Sequence, residues 1–140
     1  MIARLLMCAV AVTALWSTNV NAQDKPTPPP ITQGAGNIKR IPLQKFDVPG
    51  TPYETIIGIA EVVPNMLIGR HTHFGVEAGY VLEGEATLMV SGQPDKLIKA
   101  GDSYQIPAGV PHDAKSGPKG AKIIASYVVE KGKPLATPAP

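Results

Sequence analysis

Hydrophobic and polar positions alternate with a period of two in short runs from residue 53 onward, and almost every run ends at glycine or proline. This pattern is typical of half-buried β-strands, and no amphipathic run is long enough to predict a helix. Eight strands are predicted, over 53–63, 66–73, 77–82, 85–90, 96–99, 103–106, 112–116 and 121–129. The turns between them are marked by Pro64-Asn65, Phe74-Gly75, Glu83-Gly84, Ser91-Gly92, Gly101-Asp102, Ala108-Gly109 and Gly117-Pro118. The chain is therefore predicted to be all-β, and strands at this spacing favour a barrel or jelly roll.

The first 22 residues have the pattern of a secretory signal peptide. Arg4 precedes an apolar run over 5–16, and small and polar residues then lead to Ala22. The run is too short for a membrane-spanning helix, which needs about 20 apolar residues. Lipid modification of Cys8 is disfavoured because Leu6-Met7 lacks the small residue expected before such a site. We expect cleavage after Ala22 and a periplasmic or secreted protein without stable membrane insertion.

The rest of the chain divides into a folded part and two ends. Four prolines and a Gly-Ala-Gly stretch predict a Pro/Gly-rich tether over 23–39. Residues 132–140 lack apolar periodicity and are expected to form a flexible C-terminal tail. The predicted domain therefore covers 40–131, which lies within the usual size of a single domain.

Loss of the leader changes the composition that bears on stability and partners. Cys8 and Trp16 lie in the leader, so the mature chain would contain no disulfide and would need a substantial core or a bound metal. Lys and Arg fall from 13 to 12 with the loss of Arg4, against 11 Asp and Glu. A balance so close to neutral does not indicate a nucleic-acid surface.

The chain has three histidines, whose positions indicate a metal site. His71 and His73 are two apart on one predicted strand, so their side chains leave the same face. Glu77 returns on the next strand, and His112 follows the rigid segment 107–111, which can bring it in from a distant strand. Each residue alone also has an ordinary explanation as a surface, core or loop side chain. Together, three imidazoles and one carboxylate provide the donors of a metal shell.

Two motifs resemble those of the cupin family. The first family motif is G-x5-H-x-H-x3-4-E-x6-G, and this chain reads His71-Thr-His73-Phe-Gly-Val-Glu77, followed after six residues by Gly84. The second is G-x5-P-x-G-x2-H-x3-N, and this chain reads Gly101-Asp-Ser-Tyr-Gln-Ile-Pro107-Ala-Gly109-Val-Pro-His112. The resemblance covers residues 65 to 116. Asn65 and Ser116 depart from the pattern, at the positions of its opening glycine and closing asparagine.

The resemblance implies a small cupin β-barrel, also called a double-stranded β-helix or jelly roll. It also implies one divalent transition metal ion held by His71, His73, Glu77 and His112. Fe²⁺ is the first expectation, and Mn²⁺, Ni²⁺, Co²⁺, Zn²⁺ and Cu²⁺ stay open because imidazole and carboxylate ligands suit all of them. The absence of a thiolate ligand disfavours a closed structural zinc site.

Small cupins similar to this chain include quercetinase-like dioxygenases, which implies an oxidoreductase acting on a small phenolic, enol or diketone substrate. In that interpretation Glu77 is both a ligand and the catalytic general base. The alternatives are a non-redox isomerase, lyase or decarboxylase, and a cupin that binds a small molecule without catalysis. A homodimer is also left open.

An apolar pocket beside the metal is expected to contain some members of one set of residues, although each is also an ordinary candidate for the core. The set is Ile57, Ile59, Leu67, Val81, Ile106, Ile123 and Tyr127. Tyr80 is excluded because strand alternation directs it away from the side of Glu77.

Overall fold

The computed structural model describes residues 38–140. The predicted leader over 1–22, and all of the predicted tether except its last two residues, lie outside this range. The described residues contain eight strands and no helix, and the prediction of an all-β fold is confirmed. The strands are β1 (Ile38–Asp47), β2 (Tyr53–Val62), β3 (His71–Thr72), β4 (Gly75–Val90), β5 (Lys96–Lys99), β6 (Ser103–Ile106), β7 (His112–Glu130) and β8 (Thr137–Pro138). Residues 38–140 accordingly contain no helix long and apolar enough to span a membrane.

The long strands β4 and β7 form the centre of the sheet and pair antiparallel over most of their length. The sequence pattern predicts two strands in place of each, separated by turns at Glu83-Gly84 and Gly117-Pro118. The prediction of these two turns is wrong. The strands instead continue through irregular pairing, because Gly84 pairs with Ala121 while Ala86 pairs with Ser116. The extra residues of β7 bulge out there, which bends both strands as bulges commonly do.

Gly84 is required at this bend. Its φ is +72°, and a Cβ on it would collide with the backbone oxygen of Gly120. A residue with a side chain would meet both backbone strain and this clash.

The remaining strands curl around the central pair. The order β1-β2-β7-β3-β8 forms one part of the sheet, and β4 also pairs with β5 and β6. The strands enclose an apolar core of Val81, Ala86, Leu88, Val90, Ile98, Ile106, Ala114, Ala121 and Ile123. The fold is a small cupin β-barrel, as the motifs predict.

Two strands lie outside the segments predicted as strands. β1 begins at Ile38, inside the predicted tether, and pairs only with β2, so it is an edge strand. Its register shifts between Pro42 and Gln44. An edge strand tolerates the proline because one side needs no backbone donor.

The C-terminal residues also differ from the prediction of a flexible tail over 132–140. This segment contains β8, which pairs with β3 through His71–Pro138 and Thr72–Thr137. Arg70 secures the end of the chain, because its Nε donates to the carbonyl oxygen of Pro140 at 2.8 Å. The segment Gly132–Pro140, here called the C-terminal strap, lies against the strand that carries the first histidine.

Candidate metal centre

Strand pairing places the four predicted ligands at one end of the barrel interior. His71 of β3 pairs directly with His112 at the start of β7. Glu77 is on β4, where buried and exposed residues alternate from Gly75 to Leu82, and the alternation directs Glu77 inward. Tyr80 lies on the opposite face and is 46% exposed, as predicted.

The four side chains converge. One candidate ligand atom from each of His71, His73, Glu77 and His112 lies within 4.8 Å of all the others. The ring centroids of His71 and His112 are 4.3 Å apart, and that of His73 is 4.9 Å from His71. His73, Glu77 and His112 are buried, at 5%, 5% and 4% exposure, so water cannot solvate the group freely. The chain therefore brings together the residues that the two motifs specify.

Backbone carbonyls determine which nitrogen carries the hydrogen in the neutral form of each ring. Nδ1 of His71 lies 2.7 Å from the carbonyl oxygen of Gly69, and Nδ1 of His112 lies 2.9 Å from that of Val110. Nδ1 of His73 bonds to the carbonyl oxygen of Leu135 in the C-terminal strap. A carbonyl oxygen only accepts, so each Nδ1 carries the hydrogen, and in a neutral ring Nε2 keeps a free lone pair. A carbonyl partner on the other ring nitrogen is typical of histidines that bind metals.

The Nε2 atoms of His73 and His112 lie where they could bind a metal ion together with Glu77. Nε2 of His73 lies 2.9 Å from Oε2 of Glu77, and Nε2 of His112 lies 3.3 Å from the same oxygen. Both nitrogens are buried and make no hydrogen bond among the described residues. Neutral imidazole nitrogens and a carboxylate oxygen are all acceptors, so a cation between them would satisfy all three. The donor set fits a divalent transition metal.

The second oxygen of Glu77 has a fixed partner. The hydroxyl of Tyr104 on β6 donates to Oε1 of Glu77 at 2.7 Å. Tyr104 pairs with Gly79, and a Cβ on Gly79 would collide with the Tyr104 ring. The ring therefore crosses the strand above Gly79 and reaches the carboxylate from there.

Electrostatics keep Glu77 ionised. Burial alone would raise the pKa of Glu77, but in the metal-free protein His112 and His73, when they are protonated at Nε2, and the Tyr104 hydroxyl lower it to about 2. Burial likewise would lower the pKa of His112, yet the carboxylate of Glu77 and the carbonyl of Val110 raise it above its ordinary 6.5. The pKa of His71 is lowered, mainly by burial. His112 therefore accepts a proton more readily than His71 in the metal-free protein.

A cavity of about 80 Å³ adjoins the cluster. Of the seven residues predicted for an apolar pocket, Ile123 and Tyr127 line it. The other five do not line the cavity, and their positions explain why. Ile57 and Ile59 alternate with the lining residue Ala60 and so face the other way, and Leu67 is 53% exposed. Val81 and Ile106 are fully buried in the core.

Two polar residues at the site, Arg40 and Tyr104, were not predicted from the sequence. Tyr127 was predicted only as an apolar lining residue, and its hydroxyl was not considered. Arg40 and Tyr104 line the cavity with Tyr127, whose ring centroid is 4.9 Å from that of His73. The one available signal was alternation, because Tyr104 is two residues before the inward Ile106. Arg40 gave no signal, because it lies before residue 53, where the first predicted strand begins.

Comparison with known proteins identifies the family. The model of the cupin domain family matches residues 58–132, and the chain belongs to this family. The DMSP lyase DddQ from Ruegeria pomeroyi superposes with a TM-score of 0.64 at 16% identity, covering 79% of this chain and 57% of DddQ. KdgF from a Halomonas species superposes with a TM-score of 0.57 at 19% identity, covering 71% of this chain and 86% of KdgF. At these identities the likeness shows the fold alone.

Two relatives are similar in sequence. The HTH-type transcriptional regulator PuuR of Escherichia coli is 40% identical over 81 residues, which cover 56% of this chain and 43% of PuuR. The dimethylsulfoniopropionate lyase DddW of Ruegeria pomeroyi is 32% identical over 76 residues, covering 54% of this chain and 49% of DddW. The chain thus spans about half the length of the curated relatives that it matches.

Proposed function

We propose that this cupin is a metal-dependent enzyme that carries out an elimination or isomerisation on a small organic substrate, without a net redox change. The observation that carries the proposal is the meeting of unpaired Nε2 atoms and the Glu77 carboxylate beside a small cavity that Tyr127 also lines. A lyase among the sequence relatives supports this class over oxidation.

A divalent ion in this site would act as a Lewis acid that stabilises negative charge developing on a substrate oxygen. His71, His73, Glu77 and His112 would hold it. Tyr104 would fix the orientation of the Glu77 carboxylate through its hydrogen bond. We expect Fe²⁺ first among the metals, with the other divalent transition ions as alternatives.

The size of the cavity restricts the substrate. Pockets for drug-sized ligands occupy about 300–1,000 Å³, and this cavity is about 80 Å³. A flavonoid-sized phenolic compound therefore does not fit without rearrangement, whereas a substrate of a few heavy atoms does. This restriction disfavours the larger phenolic substrates considered from the sequence.

Glu77 is better suited to hold the metal than to act as a general base. Oε1 accepts the Tyr104 hydroxyl, and Oε2 faces two histidines. In the metal-free protein the pKa of Glu77 is about 2, so the carboxylate stays ionised and can bind a cation. We assign proton transfer to the hydroxyl of Tyr127, which lines the cavity beside His73. Burial raises the pKa of this hydroxyl in the metal-free protein, and a divalent ion beside it would lower that pKa.

Two variants, assayed at a saturating metal concentration, test the assignment of proton transfer to Tyr127 and of metal binding to Glu77. Glu77→Gln should lose metal affinity and recover most of its turnover when metal is added in excess. Tyr127→Phe should keep its metal and stay about 10² to 10⁴-fold slow. Persistent slowness of Glu77→Gln at full occupancy would instead make Glu77 the base.

A dioxygenase-like oxidoreductase is the second candidate. Three imidazoles and one carboxylate suit a redox-active iron, and four protein ligands leave two positions on a six-coordinate ion. Within the size limit of the cavity, its substrate would be a small enol or diketone. A cupin that only binds a small molecule is the third candidate, supported by the transcriptional regulator among the relatives.

Oxygen dependence separates these candidates. The metal-loaded protein should be assayed against a panel of small organic acids, enols and diketones, with and without oxygen. The proposal predicts equal turnover in both conditions. Turnover only with oxygen uptake would establish a dioxygenase, and binding without turnover across the panel would favour the third candidate.

We also propose that the protein is exported to the periplasm or the medium. This proposal rests on the sequence of residues 1–22, which lie outside the described residues.

A further inference from the structure

Arg40 extends from the edge strand β1 into the cavity beside the metal cluster. It pairs with Ala60 of β2, and both residues line the cavity. Ile38, two residues earlier on the same face, lines the cavity as well, whereas Lys39 between them is exposed. Strand alternation therefore places Arg40 on the inner side of the barrel wall.

One end of the Arg40 guanidinium has no partner. Its Nη1 atom is buried and makes no hydrogen bond within residues 38–140. A buried donor without an acceptor costs free energy, and such groups commonly await a ligand, an ion or a water molecule. Arg70, the other arginine of the described chain, bonds to Pro140 and Ser91 and has a structural role.

The charge of the site favours an anionic partner for Arg40. The Glu77 carboxylate already faces His73 and His112 and accepts the Tyr104 hydroxyl. It would neutralise only one of the two charges of a divalent ion. The guanidinium adds a positive charge on the side of Tyr127, close enough to influence its hydroxyl. A cavity that holds a divalent ion would therefore carry an excess of positive charge.

We propose that Arg40 binds a carboxylate group of the substrate, so that this cupin takes small organic anions and directs their reactive part toward the metal. The direction of the reactive part toward the metal rests on the proposed function. A planar carboxylate matches the fork of a guanidinium, which can donate two parallel charge-assisted hydrogen bonds. The small cavity favours a compact acid over a larger phosphorylated compound. Arg40 is thus a specificity-determining residue on a strand outside the residues of the two cupin motifs.

The test is calorimetric titration of the purified protein with propionate, compared with the neutral propionamide, in the presence and absence of bound Co²⁺. Propionate should bind more tightly than propionamide. Arg40→Gln should weaken propionate binding about 10- to 100-fold without lowering metal content. Arg40→Lys should give an intermediate loss, because it keeps the charge but not the fork.

Lys39→Gln is the matched control. It removes the same charge from the neighbouring residue of the same strand, but its side chain is 71% exposed and pairs with Glu61. It should bind propionate like the unmodified protein, and circular dichroism should show the same fold for all variants.

Equal propionate affinity in Arg40→Gln and Lys39→Gln would overturn the proposal, because the carboxylate would then bind elsewhere, for example to the metal. Failure of the proposed function gives a different result. If the protein bound no metal, propionate binding to the metal-free protein should still depend on Arg40.

Discussion

The hydroxyl of Tyr104 on β6 donates a 2.7 Å hydrogen bond to Oε1 of Glu77 on the neighbouring strand β4. The bond leaves Oε2 as the oxygen that faces His73 and His112. It is possible only because Gly79, between them on the inner face, has no side chain where the Tyr104 ring passes. A glycine at an unspecified position of the first family motif thereby contributes to the orientation of a predicted ligand.

Tyr104→Phe removes this hydrogen bond while it keeps the ring. We expect metal affinity to fall about 10- to 100-fold, the usual effect of losing a partner that orients a ligand. Gly79→Ala should have a similar effect, because the added methyl displaces the ring. Competition with a chelator of known affinity measures the change. Ala78→Ser, at the neighbouring outward position, is the control, and unchanged affinity in Tyr104→Phe would show that Tyr104 does not position Glu77.

The C-terminal strap should contribute to metal binding through His73. The carbonyl oxygen of Leu135 accepts the Nδ1 hydrogen of His73, and Leu135 and Ala136 line the cavity. Removal of residues 134–140 should therefore weaken metal binding about 10- to 100-fold. Leu135→Ala keeps the carbonyl and should lose much less. Chelator competition compares the two, and equal affinity of the truncated and full chains would contradict a role for the strap.

Metal affinity should depend on pH in the neutral range. The pKa of His112 is raised above its ordinary 6.5, so a proton begins to compete with the metal there before it does so at His71, whose pKa is lowered. Affinity should be constant at high pH and fall about tenfold per pH unit once His112 titrates. Metal titrations from pH 8 to pH 5 provide the measurement. A constant affinity across this range would exclude His112 as a ligand.

The convergence of His71, His73, Glu77 and His112 could be predicted from the sequence because two short motifs specify these residues. His71 and His73 are two residues apart, and the spacing to Glu77 and His112 follows two motifs whose glycines and proline lie at bends and turns. Even the departure at Asn65 agrees with the family pattern. Asn65 has a φ of +57°, in the left-handed region that glycine adopts freely and asparagine tolerates.

The other departure, Ser116, also has a structural explanation that the sequence could not provide. Its hydroxyl donates to the carbonyl oxygen of Val63 at 2.6 Å and accepts from the backbone nitrogen of Met66 at 2.9 Å. These hydrogen bonds hold β7 against the segment 63–66, which precedes His71.

The predictions that were wrong concern segments whose structure depends on contacts distant in sequence. The strap lacks apolar periodicity, and its structure depends on pairing with the distant strand β3, as between His71 and Pro138. β1 contains Pro42 and follows a proline-rich stretch, which hides an edge strand from pattern analysis. Arg40 was missed for the same reason. Likewise, only the three-dimensional pairing of Gly79 with Tyr104 reveals the partner of Glu77.

Export predicts the composition of the mature protein. Cleavage after Ala22 should give an intact mass that begins at Gln23 or its pyroglutamate form. The mature chain would lack Trp16, so its near-ultraviolet absorbance should come mainly from Tyr53, Tyr80, Tyr104 and Tyr127. Protein recovered from the exported fraction with Trp16 still attached would contradict the predicted cleavage site.

The central claim is that His71, His73, Glu77 and His112 hold one divalent metal ion. Its most direct test is the metal content of the purified protein and of the variants His71→Ala, His73→Ala and His112→Ala, measured by elemental analysis after reconstitution and desalting. Ser116→Ala is the control, because Ser116 is buried but binds only backbone groups of the segment 63–66. The account predicts about one equivalent of metal in the unmodified protein and in Ser116→Ala, and strongly reduced content in each histidine variant. Full occupancy with unchanged affinity in all three histidine variants would contradict it.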